Sequence, residues 1–288
     1  MLKNRKILIT GAGAQLGIYL IRTAQAQSLS FQPFSSTELD ITNTSGVAAA
    51  IEKCKPDIII NCAAYNLIDQ AQLTPPPAFA VNTQAVEQLA LLCRRYQIFL
   101  VHYSTAHVFD GNKRNLYTEG DTPHPVNIYG QSKWQGEEAI QKHLKNYLIL
   151  RLSWVFGCGK NCFLTKVSQW ANANPALRIS SDEISIPMYS QDVVEATLLS
   201  LEKGLSGLYH LTSHDTCSRH EYVKQYLSNM GLNNEVVGVP AVSFGLPAQR
   251  PLYSGMSNKK IEQALKVTLP RWQDGLNRFT EQLKKGRF

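Results

Sequence analysis

Closely spaced glycines directly after a short apolar run constrain this chain more than anything else in it. Lys6-Ile7-Leu8-Ile9-Thr10 reads as a strand and is followed at once by Gly11-Ala12-Gly13-Ala14-Gln15-Leu16-Gly17, with a helical pattern from about Gln15. A strand that passes through glycines into a helix opens a βαβ unit. The glycines permit a tight turn and let backbone amides approach a pyrophosphate at the helix N-terminus. The same residues also fit a plain strand-to-helix turn, so the motif takes its meaning from the rest of the chain.

The later segments keep the rhythm. Residues 57–61, 98–103 and 147–152 are apolar runs of strand length, and 30–34 is a further strand candidate. An amphipathic helix occupies 82–96, and a helix carrying Tyr129 and Lys133 precedes residue 147. Strands alternating with helices signal a parallel sheet with crossover helices, and the unbroken Ile58-Ile59-Ile60 suits a strand covered on both faces. Beyond Trp154 the pattern is mixed, with a loop at 157–161, helices at 191–203 and 219–230, and a strand at 207–211. The expected architecture is α/β, a Rossmann-like doubly wound parallel sheet with a smaller C-terminal substrate-binding lobe. Residues 1–155 form the nucleotide-binding domain and 190–212 return to it. Residues 156–189 and 213–288 build the lobe, with a cleft between the two.

Composition narrows the function. Of the 288 residues 44% are hydrophobic and 18% charged, an ordinary globular balance. The formal charge is +7, but the basic residues are scattered, with only short clusters such as Lys284-Lys285-Gly286-Arg287. That distribution favours an anionic small molecule over nucleic acid. The six cysteines form no CxxC pair. Cys54, Cys62 and Cys93 have the apolar neighbours of reduced core thiols, while Cys158 and Cys162 flank a glycine-rich turn where a metal or disulfide is the minor alternative. No other cluster has metal-ligand spacing, so no metal is expected. The apolar run after the basic start ends at Thr10-Gly11, too short for a signal-peptide core, and nothing reaches membrane-spanning length. The expected setting is the cytoplasm, as a monomer or homodimer without membrane or nucleic-acid partners.

Tyr129-Gly130-Gln131-Ser132-Lys133 supplies the chemistry, with Tyr103-Ser104-Thr105 upstream. A tyrosine and a lysine four residues apart share one helix face. A phenol with a pKa of about 10 exchanges protons poorly at neutral pH, and a nearby cation lowers that value. The tyrosine then serves as proton donor when hydride lands on a ketone. Of the 12 tyrosines only Tyr129 has such a lysine, a coincidence near chance, so the weight comes from context. After the 30–34 run no acid occurs before Glu38, only Ser35, Ser36 and Thr37. An acid there would bond the ribose 2′-hydroxyl of NAD, whereas hydroxyls accept a 2′-phosphate. NADP(H) is therefore the preferred cofactor and NAD(H) the second choice.

These residues, with others in order along the chain, resemble the dTDP-4-dehydrorhamnose reductase family of the extended short-chain dehydrogenase/reductase superfamily. The further matching stretches are Glu38-Leu39-Asp40-Ile41-Thr42, Asn61-Cys62-Ala63-Ala64-Tyr65, Val81-Asn82, Val108-Phe109-Asp110-Gly111, Arg151-Leu152-Ser153-Trp154, Gly207-Leu208-Tyr209-His210-Leu211 and Arg250-Pro251. The resemblance implies reduction of a 4-keto group on a dTDP-linked 6-deoxyhexose, in deoxysugar and cell-surface polysaccharide synthesis. It implies that Thr105 bonds the ketone oxygen, that Tyr129 delivers the proton, and that Lys133 lowers the Tyr129 pKa and holds the nicotinamide ribose. Gly11, Gly13, Gln15, Leu16 and Gly17 would line the pyrophosphate turn, Asp40 and Ile41 the adenine, and Ala63, Ala64 and Tyr65 the ribose and nicotinamide side. Ser104, His107 and Trp154 would face the sugar, and Arg250 the diphosphate, to which a fork of donors is suited. Core packing for Trp154, local backbone bonding for Ser104 and Thr105, and a solvated turn for Arg250 are the plain alternatives. His102 and His210 read as structural.

The departures from the family pattern cluster on the substrate side. Ala106-His107 stands where the family has Asp-Tyr, Asn66-Leu67-Ile68-Asp69-Gln70-Ala71-Gln72 replaces Thr-Ala-Val-Asp-Lys-Ala-Glu, and Asp182-Glu183-Ile184-Ser185-Ile186-Pro187-Met188 replaces Asp-Gln-x-Gly-x-Pro-Thr. Ala14 takes a common glycine position. Lost polar partners should relax or redirect sugar specificity, and His107 is expected to titrate near neutral pH and restore some polarity. A second class of function stays open: a catalytically silent, cofactor-binding regulatory subunit resembling the methionine adenosyltransferase beta subunit.

Overall fold

The computed structural model describes residues 2–159 and 162–286. Lys160 and Asn161 of the expected 157–161 loop, and Arg287 of the C-terminal basic cluster, lie outside the described residues. The chain opens with β1 (Lys6–Thr10), α1 (Gln15–Ala26), β2 (Ser30–Phe34), α2 (Thr44–Cys54) and β3 (Ile58–Asn61). Short helices α3 (Ile68–Leu73) and α4 (Pro75–Phe79) lead through a π-turn at Ala80–Gln84 into α5 (Ala85–Tyr96), then β4 (Phe99–Thr105), α6 (Ile128–His143) and β5 (Tyr147–Leu152). The remainder is β6 (Val155–Phe156), α7 (Phe163–Ala173), β7 (Ala176–Ser180), β8 (Ile184–Ser185), β9 (Met188–Tyr189), α8 (Ser190–Glu202), β10 (Gly207–His210), β11 (Cys217–Ser218), α9 (Arg219–Met230), β12 (Glu235–Val239), α10 (Lys259–Leu265) and α11 (Trp272–Lys284).

Six strands form one parallel sheet in the order β10-β5-β4-β3-β1-β2. Side chains alternate across a strand, and both faces of this sheet are covered. Ile7, Ile9, Ile58, Ile60 and Val101 enter one core with Tyr19 and Leu20 of α1 and Val193 of α8. Leu8, Ile59, Leu100 and Ile149 enter a second core with Val47 and Ile51 of α2 and Val86 and Leu89 of α5. The chain leaves β1 toward β2 on one side, while β3 pairs with β1 on the other. That change of direction opens a crevice beyond the carboxyl ends of β1 and β3, where ligands bind in open α/β sheets.

The remaining strands pair in twos, β6 with β9, β8 with β11 and β7 with β12. Leu177, Ile179, Tyr222 and Tyr226 of this lobe share one core with the sheet residues Ile7 and Ile9. The helix expected over 82–96 begins earlier, at Pro75, because the prolines suit a first helical turn, and it passes through the π-turn that carries Asn82. All six cysteines are free thiols in this structure. No group of three metal-ligating side chains occurs among the described residues. No helix among them is long and apolar enough to cross a membrane.

Candidate active site

The crevice contains a cavity of about 270 Å³ bordered by Ala14, Gln15, Leu16, Asn61, Cys62, Ala63, Ala64, Asn66, Tyr103, Ser104, Thr105, Tyr129, Lys133, Leu152, Trp154 and Val155. Gly11 adopts φ +65°, and a Cβ there would lie 2.6 Å from the Ala63 nitrogen. A Cβ on Gly17 would lie 2.4 Å from the Gly11 carbonyl oxygen. Only glycine lets β1, the turn and the loop after β3 close so tightly. Gly13 differs, since a Cβ there meets nothing within 4 Å. The N-cap of α1, Ala14, has no side-chain cap bond and the first turn carries no acid, so its amides and positive dipole end face the crevice. This cradle fits the pyrophosphate of a dinucleotide. Asp40 and Ile41 follow β2 and do not border the cavity. The Asp40 carboxylate accepts from the Thr42 amide, and Ile41 is buried. Tyr65 does not border the cavity either, and its amide and carbonyl are both held by Asn82.

Thr105 ends β4, and the carboxamide oxygen of Asn127 caps α6 by accepting from the Gly130 amide at 2.8 Å. A Cβ on Gly130 would lie 2.1 Å from the His107 carbonyl oxygen, so this glycine permits α6 to start against the β4 end. That approach brings the Tyr129 phenol beside Thr105 on the cavity wall. Lys133, one turn further, is buried; its Nζ donates to the Tyr103 carbonyl at 2.6 Å and lies 3.1 Å from His102 Nε2. His102, expected to be structural, is buried between this lysine and Asn61. Ser104 Oγ is buried without a hydrogen-bond partner among the described residues, a hydroxyl available to a ligand in the cavity.

The electrostatics correct the expectation for the phenol. Burial pushes Tyr129 upward and the Thr105 hydrogen bond opposes this, so its net direction is up, not down. Burial takes Lys133 down to about 8, against the Glu137 carboxylate, which raises it. His102 is held well below its usual range by burial and by Lys133. His107 is lowered to about 3 by burial and by the cations Arg250 and Arg219, so it does not titrate near neutral pH as expected. The Asn127 amide, oriented by the Gly130 bond, places its nitrogen 3.2 Å from His107 Nδ1. Neutral His107 thus carries its proton on Nε2.

Trp154 sits at φ +37°, in the left-handed region that non-glycine residues rarely adopt, and borders both this cavity and a neighbouring pocket of about 810 Å³. His107, Arg250, Asp69, Glu183, Arg219 and Phe163 help line that pocket. Arg250 does not offer the expected fork, since both of its Nη atoms bind the Asp69 carboxylate, at 2.6 and 2.7 Å. Sequence reasoning gave no site role to Arg219, nor to Asn61, quoted within a motif, which links Thr10, the Ala63 amide and His102. Asn82 stood in a quoted motif but received no role. It ties the Tyr65 loop to Ser132 of α6.

A parallel sheet with its switch-point crevice facing a Thr105–Tyr129–Lys133 set defines an extended short-chain dehydrogenase/reductase. The profile of the family described as "RmlD substrate binding domain" matches residues 5–285. A dTDP-4-dehydrorhamnose reductase from Shigella flexneri is 32% identical over 96% of this chain and 97% of its own length. The spore coat polysaccharide biosynthesis protein SpsK of Bacillus subtilis is 31% identical, with 96% and 97% covered. The crystal structure of the Bacillus anthracis dTDP-4-dehydrorhamnose reductase in complex with NADP superposes with a TM-score of 0.94 at 31% identity, covering 96% of this chain and 99% of that one. The chain belongs to the dTDP-4-dehydrorhamnose reductase family. A UDP-glucose 4-epimerase from Thermus thermophilus, at 21% identity and TM-score 0.82, shares the fold alone.

Proposed function

We propose that this protein reduces the 4-keto group of a dTDP-linked 6-deoxyhexose, using NADPH and less favourably NADH, as a cytoplasmic monomer or homodimer in deoxysugar synthesis. The observation that carries this reading is the convergence of Thr105, Tyr129 and Lys133 on a cavity that Ala14, Gln15 and Leu16 at the α1 N-terminus also border. Residues 1–155 with 190–212 hold the cofactor, and 156–189 with 213–288 hold the nucleotide sugar. When bound, the cofactor supplies hydride to the carbonyl carbon. Thr105 and Ser104 present hydroxyls to the ketone oxygen, Tyr129 donates the proton, and Lys133 stands behind the phenol as the buried cation. His107 faces the neighbouring pocket as a neutral donor, and Trp154 separates the two spaces. The NADP-bound relative and the family membership favour this over a silent regulatory role.

The test is direct. Purified protein given NADPH and a dTDP-4-keto-6-deoxyhexose oxidises the NADPH in step with loss of the ketone. Cofactor binding without turnover across a panel of nucleotide-linked keto sugars would overturn the reading. Gly13→Ala separates the cradle from the fold. Its new methyl meets no protein atom, so the thermal midpoint stays within about 2 °C of the parent, while the NADPH Kd rises about tenfold because the methyl occupies the approach to the pyrophosphate. Equal Kd values in a fluorescence titration would place the pyrophosphate elsewhere.

A further inference from the structure

We infer that Arg219 is the residue that grips the diphosphate of the nucleotide substrate, in the place where Arg250 was expected. The inference rests on the nucleotide-sugar reading of the 810 Å³ pocket and names the group inside it that binds the anion. Arg219 is fixed at both ends. Its amide donates to the Glu183 carbonyl at 3.0 Å, and its Nε donates to the Glu183 carboxylate at 3.1 Å. It opens α9, just after the Ser218 N-cap, so the helix start sets the direction of its side chain. The guanidinium carbon lies 4.3 Å from the Trp154 ring centroid and 4.8 Å from that of Phe163. Stacking on two rings holds the planar group without using its end donors.

The contrast with Arg250 decides the assignment. Arg250 spends both Nη atoms on Asp69, and one of them also donates to the Ala248 carbonyl. Arg219 bonds through Nε alone, and neither Nη has a hydrogen-bond partner among the described residues. Both arginines border the same pocket, whose other cations, Lys166 and Arg178, are exposed at its rim. Four cationic side chains face two carboxylates, Asp69 and Glu183, which leaves an excess of two positive charges for a dianion. Position agrees with charge. A hexose carries its diphosphate across the ring from C4. Trp154 borders the cavity of Thr105 and Tyr129 and also supports the Arg219 guanidinium.

Calorimetry of the NADPH-loaded full chain tests this with dTDP, dTMP and thymidine as probes. Arg219→Gln weakens dTDP binding about 30-fold, the range of a charge-assisted hydrogen-bonded pair, with thymidine affinity within twofold of the parent. Arg219→Lys, which keeps the charge without the fork, falls between. Equal losses for dTDP and thymidine would make Arg219 a support for Trp154 only, and an unchanged dTDP affinity would remove it from the site; either overturns the inference. A parent protein that prefers UDP or GDP and shows the same Arg219→Gln loss upholds the arginine while removing the thymidine assignment from the functional reading. A parent that binds no nucleoside diphosphate overturns the arginine as well.

Discussion

Tyr129→Phe lowers kcat for ketone reduction by about 10³-fold and leaves the NADPH Kd within about twofold. The phenyl ring fills the same space, against the His107 ring 5.5 Å away, so packing is conserved and only the hydroxyl is lost. Thr105 remains to hold the ketone oxygen, but it has no acidic proton to give at neutral pH. The upward-shifted phenol keeps its proton until an alkoxide develops, which suits a donor in the reductive direction. Lys133 cannot replace it, because its Nζ is drawn back onto the Tyr103 carbonyl. Single-turnover kinetics with a 4-deuterated cofactor would check the claim. A variant that keeps more than a tenth of the parent rate would show that another group delivers the proton.

The inner strands of the sheet were legible in the sequence because buried parallel strands leave apolar runs, and 58–61, 99–105 and 147–152 appear nearly where the pattern places them, while the edge strands 30–34 and 207–210 are only partly buried. The helix start at Pro75 was not legible, because three consecutive prolines read as a break while tertiary bonds of Asn82 and Thr83 hold the π-turn. Thr105, Tyr129 and Lys133, which the fold brings to one cavity, could be picked out from spacing and family order. Their electrostatics could not, because burial is a tertiary property, and it pushes the phenol up and the lysine down. Arg250 and Arg219 show the same limit. Both are single arginines in loop-flanked segments, and only coordinates reveal that Asp69 occupies one fork while Glu183 leaves the other open. Residues beyond Trp154 come together from short two-stranded pairs, whose partners are distant in sequence and carry no local signal.

Glu137→Ala has the largest expected effect on stability. Glu137 and Arg151 are almost fully enclosed, with side chains 1% and 4% exposed, and Arg151 bonds the carboxylate through Nε and Nη2 at 2.6–3.2 Å. The same guanidinium lies 5.1 Å from the Phe109 ring centroid, and its Nη1 already lacks a hydrogen-bond partner among the described residues. Removing the carboxylate leaves a buried cation uncompensated, at a cost of about 3–5 kcal/mol, or roughly 10 °C in Tm for a chain of this size. Replacing both partners, Glu137→Leu with Arg151→Met, recovers most of that loss, because two apolar groups need no compensation. The double variant then serves a second measurement. Glu137 lies one turn beyond Lys133 on α6 and raises its pKa against burial, while His102 and Tyr129 are its other titratable neighbours. Loss of that carboxylate lowers the Lys133 value from about 8. If the reaction needs the lysine charged, the alkaline limb of kcat/KM moves to lower pH in the double variant, and activity is lost earlier as pH rises. An unmoved limb in a variant of near-parental Tm would show that the limb belongs to another group, with Tyr129 the next to test.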